Sequence, residues 1–453
     1  MDNKTTMTLA VFGLGHVGLP TALGFADLGW NVIGVESDKI KAESIANGYV
    51  PFNEDGVEFL LRTHLRSKKF SVITDTKVAV EQANILFMCV ATPSDENGSA
   101  NISQLENLAF QLRDSISSYK IIIQKSTAPV NTAEKIRNIL LEANLKNEIQ
   151  SNEKLVDVVV IPEFLREGKA VDDFFNPHRI VIGLDDMNLK ETIVELYRPL
   201  LKKIKKDESS TLVFMDTRSA EISKHAANAF LATKLSFINM ISDLCAKVGA
   251  NVDSVSRAIG MDPRIGADFL QAGIGYGGEC LPKDLSAFIE SGKDNGINFS
   301  MLEEVKKVNE DRVNVFIAKV LNHLDNLQDK TLAVWGLSFK PFTDDLRNSQ
   351  SIKILHNLVA QKIKLRVYDP YAMDATKKLF KISDSITFAE SPMDAAQSSN
   401  AILILTEWPQ FSEQDFAKVF SVMKTPLIFD GRNMLNFDVL IANGFKYYGM
   451  GIG

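Results

Sequence analysis

Apolar residues along this chain fall into two rhythms. "TLAVFGLGHVGLPTALGFADLGWNVIGVES" reads as strand, glycine turn, helix and strand. The runs "NILFMCV", "KIIIQKS" and "DVVVIP" follow, separated by stretches with apolar positions three and four apart. Strands apolar on both faces that alternate with helices predict a parallel sheet covered on both sides. That pattern ends near residue 210. "DTRSAEISKHAANAFLATKLSFINMISDLCAKVGANV" then keeps helical spacing for about thirty positions without Pro or internal Gly and predicts one long helix. It is more apolar than a one-sided surface helix requires, which suits a spine between domains and part of a subunit interface. A shorter helical region starts at Asn251, and the glycine-dense stretch "GIGYGGECLPKD", Gly273 to Asp284, comes after it.

From about residue 325 the first rhythm returns. "KTLAVWGLSFK" resembles "MTLAVFGLGHV", "IKLRVYDP" resembles "WNVIGVES", and "NAILILTEWPQF" resembles "ANILFMCVATPS". The chain therefore reads as α/β, with two Rossmann-like doubly wound parallel-sheet domains joined by a long central helix. The expected boundaries are 1–210 for a dinucleotide-binding domain, 211–324 for a helical dimerisation domain carrying the cysteine loop, and 325–453 for a second α/β domain. In the second copy "GLSFKPFTD" replaces "GLGHVGLPT", so it should hold something other than an intact dinucleotide.

Composition narrows the class. A chain of 453 residues exceeds one core, and 45% hydrophobic with 24% charged residues is an ordinary globular balance. A net charge of −7 argues against a nucleic-acid surface. The N-terminus lacks a basic n-region, and no apolar run is expected to reach membrane-helix length. Cys89, Cys245 and Cys280 are scattered and odd in number, which argues against a disulfide framework and for a reducing cytoplasm. The six histidines lack metal-ligand spacing, so no metal site is expected.

The candidate chemistry starts at Gly13-x-Gly15-x-x-Gly18, with Val17 inside the turn, between a strand and a helix. The first glycine allows the tight turn, the second lets a pyrophosphate approach, and the third permits close helix–strand packing. Glu36 ends the next strand, where an acid accepts the ribose hydroxyls, and its charge favours NAD over NADP. Lys41 is either near the adenosine or a plain surface lysine. Thr92 and Thr127 end later strands, where ligands meet an open parallel sheet. Turn chemistry explains them equally well. "PEFLREG" sets Glu163 and Glu167 four apart beyond another strand, as proton-relaying groups or as a solvated helix start. Lys224 and Asn228 share one face of the long helix, continued by Leu231 and Leu235, to hold an alkoxide or to bond a neighbouring carbonyl. Cys280 lies in what reads as a flexible, nearly side-chain-free loop, where disulfide, metal ligand and nucleophile are the three possible uses. Its thiolate would need cations or N–H donors close by.

"PEFLREG", "KHAANAFLATKLSFIN", "MDPRIG", "GIGYGGECLPKD", "WGLSFKPFTDDLRNS" and "FDGR" occur in this order. With the glycine turn they closely resemble the nucleotide-sugar dehydrogenases, nearest to the branch acting on UDP-glucose, over nearly the whole chain. The resemblance implies oxidation of a sugar C6 alcohol to a carboxylate with two NAD and no release of the aldehyde. It makes Cys280 the nucleophile that carries a thiohemiacetal and then a thioester. Lys224 and Asn228 would stabilise oxyanions, and Asp284, helped by Glu163 and Thr127, would activate water. Glu167, Lys283 and Arg347 match positions near NAD. Phe164, Leu165, Phe269, Gly273, Tyr276, Gly277, Phe339 and Lys340 match positions around the nucleotide sugar, with Arg432 beside its phosphate. Arg264 would reach the neighbouring subunit's site in a homodimer or larger homo-oligomer. Polysaccharide precursors are the implied product class. Glu279 departs from the family, which more often has a small residue before the cysteine, and is expected to point away from the thiol. Asn131 stands where glycine is usual, Ile161 where Asn is common, and Glu36 where Asp is more frequent.

Three functions compete. The first is four-electron oxidation of UDP-glucose, or of GDP-mannose, UDP-N-acetylglucosamine or UDP-N-acetylmannosamine by the same route. The second is a two-electron hydroxyacid dehydrogenase, which gives Cys280 no task. The third is a non-catalytic NAD and sugar-nucleotide binding protein.

Overall fold

The computed structural model describes residues 7–146, 154–324, 330–380 and 385–452. It divides into two compact units, Met1–Ala227 and Asn228–Gly453. The expected boundary at 324/325 falls on residues outside the described set.

The first unit holds β1 (Thr8–Phe12), β2 (Asn31–Val35), β3 (Phe70–Ile73), β4 (Ile85–Met88), β5 (Lys120–Gln124), β6 (Val156–Val160), β7 (Ile180–Gly183) and β8 (Leu212–Met215). Their order is β3-β2-β1-β4-β5-β6-β7-β8, parallel except where β7 meets β6. Both faces are buried, as the unbroken apolar runs require. Leu9 and Val11 of β1 enter one core, and Ala10 and Phe12 enter the other. Strand order reverses between β1 and β4, so the C-terminal ends of these strands border a ligand crevice.

The second unit repeats the design. Its strands are β9 (Thr331–Trp335), β10 (Lys364–Tyr368), β11 (Ile386–Phe388), β12 (Ala401–Ile404), β13 (Leu427–Asp430) and β14 (Lys446–Gly449). They run all parallel in the order β11-β10-β9-β12-β13-β14. Leu332 and Val334 face one core, Ala333 and Trp335 the other.

Between the sheets in sequence runs one 32-residue helix, Thr217–Val248, as its spacing predicts. The expectation that no run reaches membrane length is corrected here. An 18-residue window of this helix has a mean hydropathy of 1.3. Yet Lys224, His225, Asn228, Ser236, Asn239 and Ser242 are all buried along it, a density of polar groups that suits packing against protein.

Candidate active site

The glycine turn is built for a dinucleotide. Gly13 has φ +88°, and a Cβ there would lie 2.8 Å from the Cys89 carbonyl oxygen, so only glycine closes the turn. At Gly15 a side chain would meet nothing within 4 Å, which leaves open space before the helix Gly18–Asp27. Val17 is that helix's N-cap. The Glu36 carboxylate accepts from the Leu14 N–H at 3.2 Å and the Asp38 N–H at 3.2 Å. Lys41 pairs with it at 2.7 Å, and so is tied to this acid rather than lying idle on the surface. Burial opposes ionisation of Glu36, but Lys41 and the two N–H groups outweigh it and hold the carboxyl below its ordinary value. An open cradle at a helix N-terminus beside an ionised acid fits NAD.

The second sheet carries the counterpart, Asp369, at the end of β10. Its carboxylate accepts from the Leu337 N–H at 2.7 Å, the Ser338 N–H at 3.1 Å and Trp408 Nε1 at 3.1 Å, fully buried. Those three share one oxygen, and the other accepts from the Tyr371 and Ala372 N–H groups at 2.9 and 2.8 Å, so five N–H donors crowd Asp369 where Glu36 has three donors.

Within the first unit the strand ends gather the expected residues. The Thr92 hydroxyl donates to the Thr127 carbonyl at 2.7 Å and thereby ties two strand-end loops together. Lys224 pairs with Glu163 at 3.1 Å, both side chains buried. The other Glu163 oxygen accepts the Leu165 N–H at 2.6 Å. The Lys224 ammonium also lies 5.2 Å from the Phe164 ring centroid, whose ring stacks on Arg179 at 3.8 Å. Glu167 is half-buried in a loop, not at a helix start. A cavity of about 70 Å³ lies beside Phe164, Leu165 and Lys125. Burial lowers the Lys125 ammonium and pushes the Cys89 thiol up to about 12, so Cys89 is an inert core group.

Two residues of this unit escaped the sequence reading. Glu221 accepts from the Asn131 and Ala133 N–H groups, both at 2.8 Å, and from Gln124 Nε2 at 3.2 Å. It therefore caps the helix Thr132–Lys146 from a distance. His225 Nε2 lies 3.0 Å from the Ala128 carbonyl oxygen, to which it donates. Both hold the loop that carries Thr127. The signal was available: Glu221, Lys224, His225 and Asn228 are polar residues at three- and four-residue spacing on an apolar helix.

In the second unit the glycine stretch is not the flexible loop expected. Residues 272–278 are all buried. The Gly273 N–H donates to Asn239 at 2.8 Å, and Arg312 Nε donates to the Gly273 carbonyl at 3.2 Å. Asn309 binds both main-chain groups of Tyr276, at 2.8 and 3.0 Å. Arg432 donates to the Gly275 carbonyl at 2.9 Å and to the Leu405 carbonyl at 2.9 Å, and pairs with Glu407 at 3.2 Å. At Gly275, φ is +92° and a Cβ would come within 2.6 Å of Asn309 Oδ1. Phe339 joins this group through its carbonyl, 3.4 Å from Arg432 Nη2, and the Lys340 ammonium lies 5.4 Å from the Phe339 ring centroid.

Cys280 is the first residue of the helix Cys280–Asp294 and is exposed. Pro282 is tolerated in that first turn because no intrahelical N–H is lost there. Asp284, one turn on and 1% exposed, accepts from Asn228 Nδ2 at 2.6 Å and from Lys283 Nζ at 2.8 Å. The Glu279 carboxylate pairs with Arg347. Phe269 is half-buried with φ +63°, and Arg264 is 87% exposed on Asp262.

A dinucleotide turn on one sheet, a second sheet of the same order without it, and an exposed cysteine at a helix start define a two-sheet dehydrogenase. The NAD binding domain of the UDP-glucose/GDP-mannose dehydrogenase family matches residues 7–201, its central domain 218–311, and its UDP binding domain 333–437. The chain is similar to UDP-glucose 6-dehydrogenase YwqF of Bacillus subtilis, 38% identical over 445 residues and 98% of both chains. It is also similar to UDP-glucose 6-dehydrogenase of Rhizobium meliloti, 38% identical over 98% of this chain and 99% of the relative. A solved UDP-glucose dehydrogenase from Pyrobaculum islandicum matches all of both chains with a TM-score of 0.88 at 31% identity. A UDP-D-ManNAc dehydrogenase from Pyrococcus horikoshii gives 0.84 at 25%, over 98% of this chain and 99% of that one. The protein belongs to the UDP-glucose/GDP-mannose dehydrogenase family and is an NAD-dependent enzyme with a nucleotide sugar as substrate.

Proposed function

We propose that the protein oxidises UDP-glucose at C6 to UDP-glucuronate and keeps the aldehyde bound throughout. Gly13, Gly15 and Gly18 would hold NAD with Glu36 on its ribose, and NAD when bound would supply the hydride acceptor for both oxidations. The first oxidation removes a proton from the C6 hydroxyl, and the Lys224 ammonium and Asn228 amide donate to the developing oxyanion. The Cys280 sulfur adds to the aldehyde carbon and makes a thiohemiacetal, and the second oxidation turns that into a thioester. Water held by Asp284 breaks the carbon–sulfur bond and returns the thiol. One alcohol, one water and two NAD⁺ thus give one carboxylate, two NADH and three protons.

The observation that carries this reading is Cys280 itself: an exposed thiol at a helix start, one turn before a buried Asp284 already hydrogen-bonded to Asn228 and Lys283. The choice of sugar follows the relatives named for UDP-glucose at 38% identity, against 25% for the UDP-D-ManNAc enzyme. The reading includes a homodimer, supported by the exposed Phe230, Phe237, Met240, Leu244 and Val248 on the long helix and by the outward Arg264. It also includes the reducing cytoplasm, which suits a working thiol.

The test is initial-rate NADH formation with UDP-glucose, GDP-mannose, UDP-N-acetylglucosamine and UDP-N-acetylmannosamine. UDP-glucose should give the highest kcat/KM. Turnover on another sugar alone overturns the substrate assignment, and binding without turnover on any of them overturns the enzymatic one.

A further inference from the structure

Glu279 is the residue that this chemistry leaves without a task. It stands immediately before the thiol, half-buried, at the N-cap of the cysteine helix. A carboxylate beside a thiol opposes loss of its proton. Here the carboxylate forms an ion pair with the Arg347 guanidinium. Arg347 is in turn held on Asp345 by Nε at 3.0 and 2.9 Å and by Nη2 at 2.7 Å. Two further bonds run beside the pair. The Gly278 N–H donates to the Arg347 carbonyl at 2.9 Å, and Asn348 Nδ2 donates to the Gly278 carbonyl at 3.0 Å. The segment entering the cysteine helix is therefore tied to the 345–348 turn by side chain and main chain together.

Charged residues adjoining the pair in this unit include Lys340, Asp344 and Asp345 from the segment that carries Arg347, and Lys283 with Asp284 from the cysteine's own helix. Lys283 and Asp284 offset one another. Glu279, Asp345 and Arg347 sum to one negative charge, and without the arginine they would sum to two.

We propose that Glu279 and Arg347 form a positioning pair for Cys280, in which the guanidinium cancels the neighbouring carboxylate and so keeps the thiol reactive at neutral pH. The proposal rests on Cys280 being the nucleophile. It gives Arg347 a task in the free enzyme that is separate from any contact with NAD.

The test is the rate at which iodoacetamide alkylates Cys280 in the full-length protein without NAD or sugar, followed by mass spectrometry of the Cys280 peptide. At pH 7.5, Arg347→Ala should slow alkylation roughly three- to tenfold, because an uncompensated carboxylate lowers the thiolate fraction. At pH 10 the difference should vanish. Adding Glu279→Gln to Arg347→Ala should return the rate to within about twofold of the parent, and Arg347→Lys, which keeps the charge, should stay within the same range. An unchanged rate in Arg347→Ala overturns the proposal. So does a double variant as slow as Arg347→Ala, and so does equal slowing at pH 10, the mark of lost access. These rates require no turnover, so their failure leaves the role of Cys280 intact. That role falls separately, if Cys280→Ser turns over at the parent rate.

Discussion

Lys224 and Glu163 form one buried pair on which stability and the proposed chemistry both depend. Two charges out of water, 3.1 Å apart, tolerate each other only together. Lys224→Ala should therefore lower kcat by about 10²–10³ through loss of an oxyanion donor. It should also cost about 3 kcal/mol of stability by stranding Glu163. Adding Glu163→Gln should restore the urea midpoint but not the rate. Recovery of both would mean that Lys224 serves structure alone. Lys224 and Asn228 were legible because a lysine and an asparagine on an apolar stripe demand partners. The partners themselves were not legible: Glu163 lies in another element, and Arg347 is far along the chain from Glu279. Contacts of that kind have no period in the sequence.

The glycine stretch was misread for a physical reason. Many glycines suggest mobility when no contacts are known, but here they let backbone pack against backbone and buried polar side chains. Asn309 and Arg312, which supply that clamp, sit on the helix Ser300–His323, where nothing in the local pattern marks them. Gly275→Ala should cost about 1–3 kcal/mol from its positive φ, and more from the close contact with Asn309, with a fall in kcat because the clamp sets the entry to the cysteine helix. A urea midpoint within error of the parent would contradict the clamp. Glu221 makes a pH-dependent prediction. Burial pushes it up to about 7 against its three donors, so the folded chain holds a proton that the unfolded chain has released above 4.5. Stability from this group is thus lost as pH rises from 4.5 to 7. Relative to Glu221→Gln, the parent should lose about 1–3 kcal/mol across that window, on top of a constant offset from the lost helix cap. A difference flat with pH would mean that the donors keep Glu221 ionised throughout.

At the scale of the molecule, the repeated sheet was the most legible feature, because strands buried on both faces leave unbroken apolar runs and each copy begins with a similar strand–turn. Its divergence was legible as well: the second turn keeps only the first of the three glycines, Gly336, and one Asp369 oxygen accepts two N–H groups of that turn, where the first turn leaves open space at Gly15. The central claim concerns electrons, since a thiol nucleophile is needed only if the aldehyde is oxidised again before release. Its most direct test is the count of NADH formed per UDP-glucose consumed, run to completion under limiting sugar. The account predicts two NADH for every sugar, with a carboxylate as product. One NADH per sugar, with free aldehyde in solution, would contradict it.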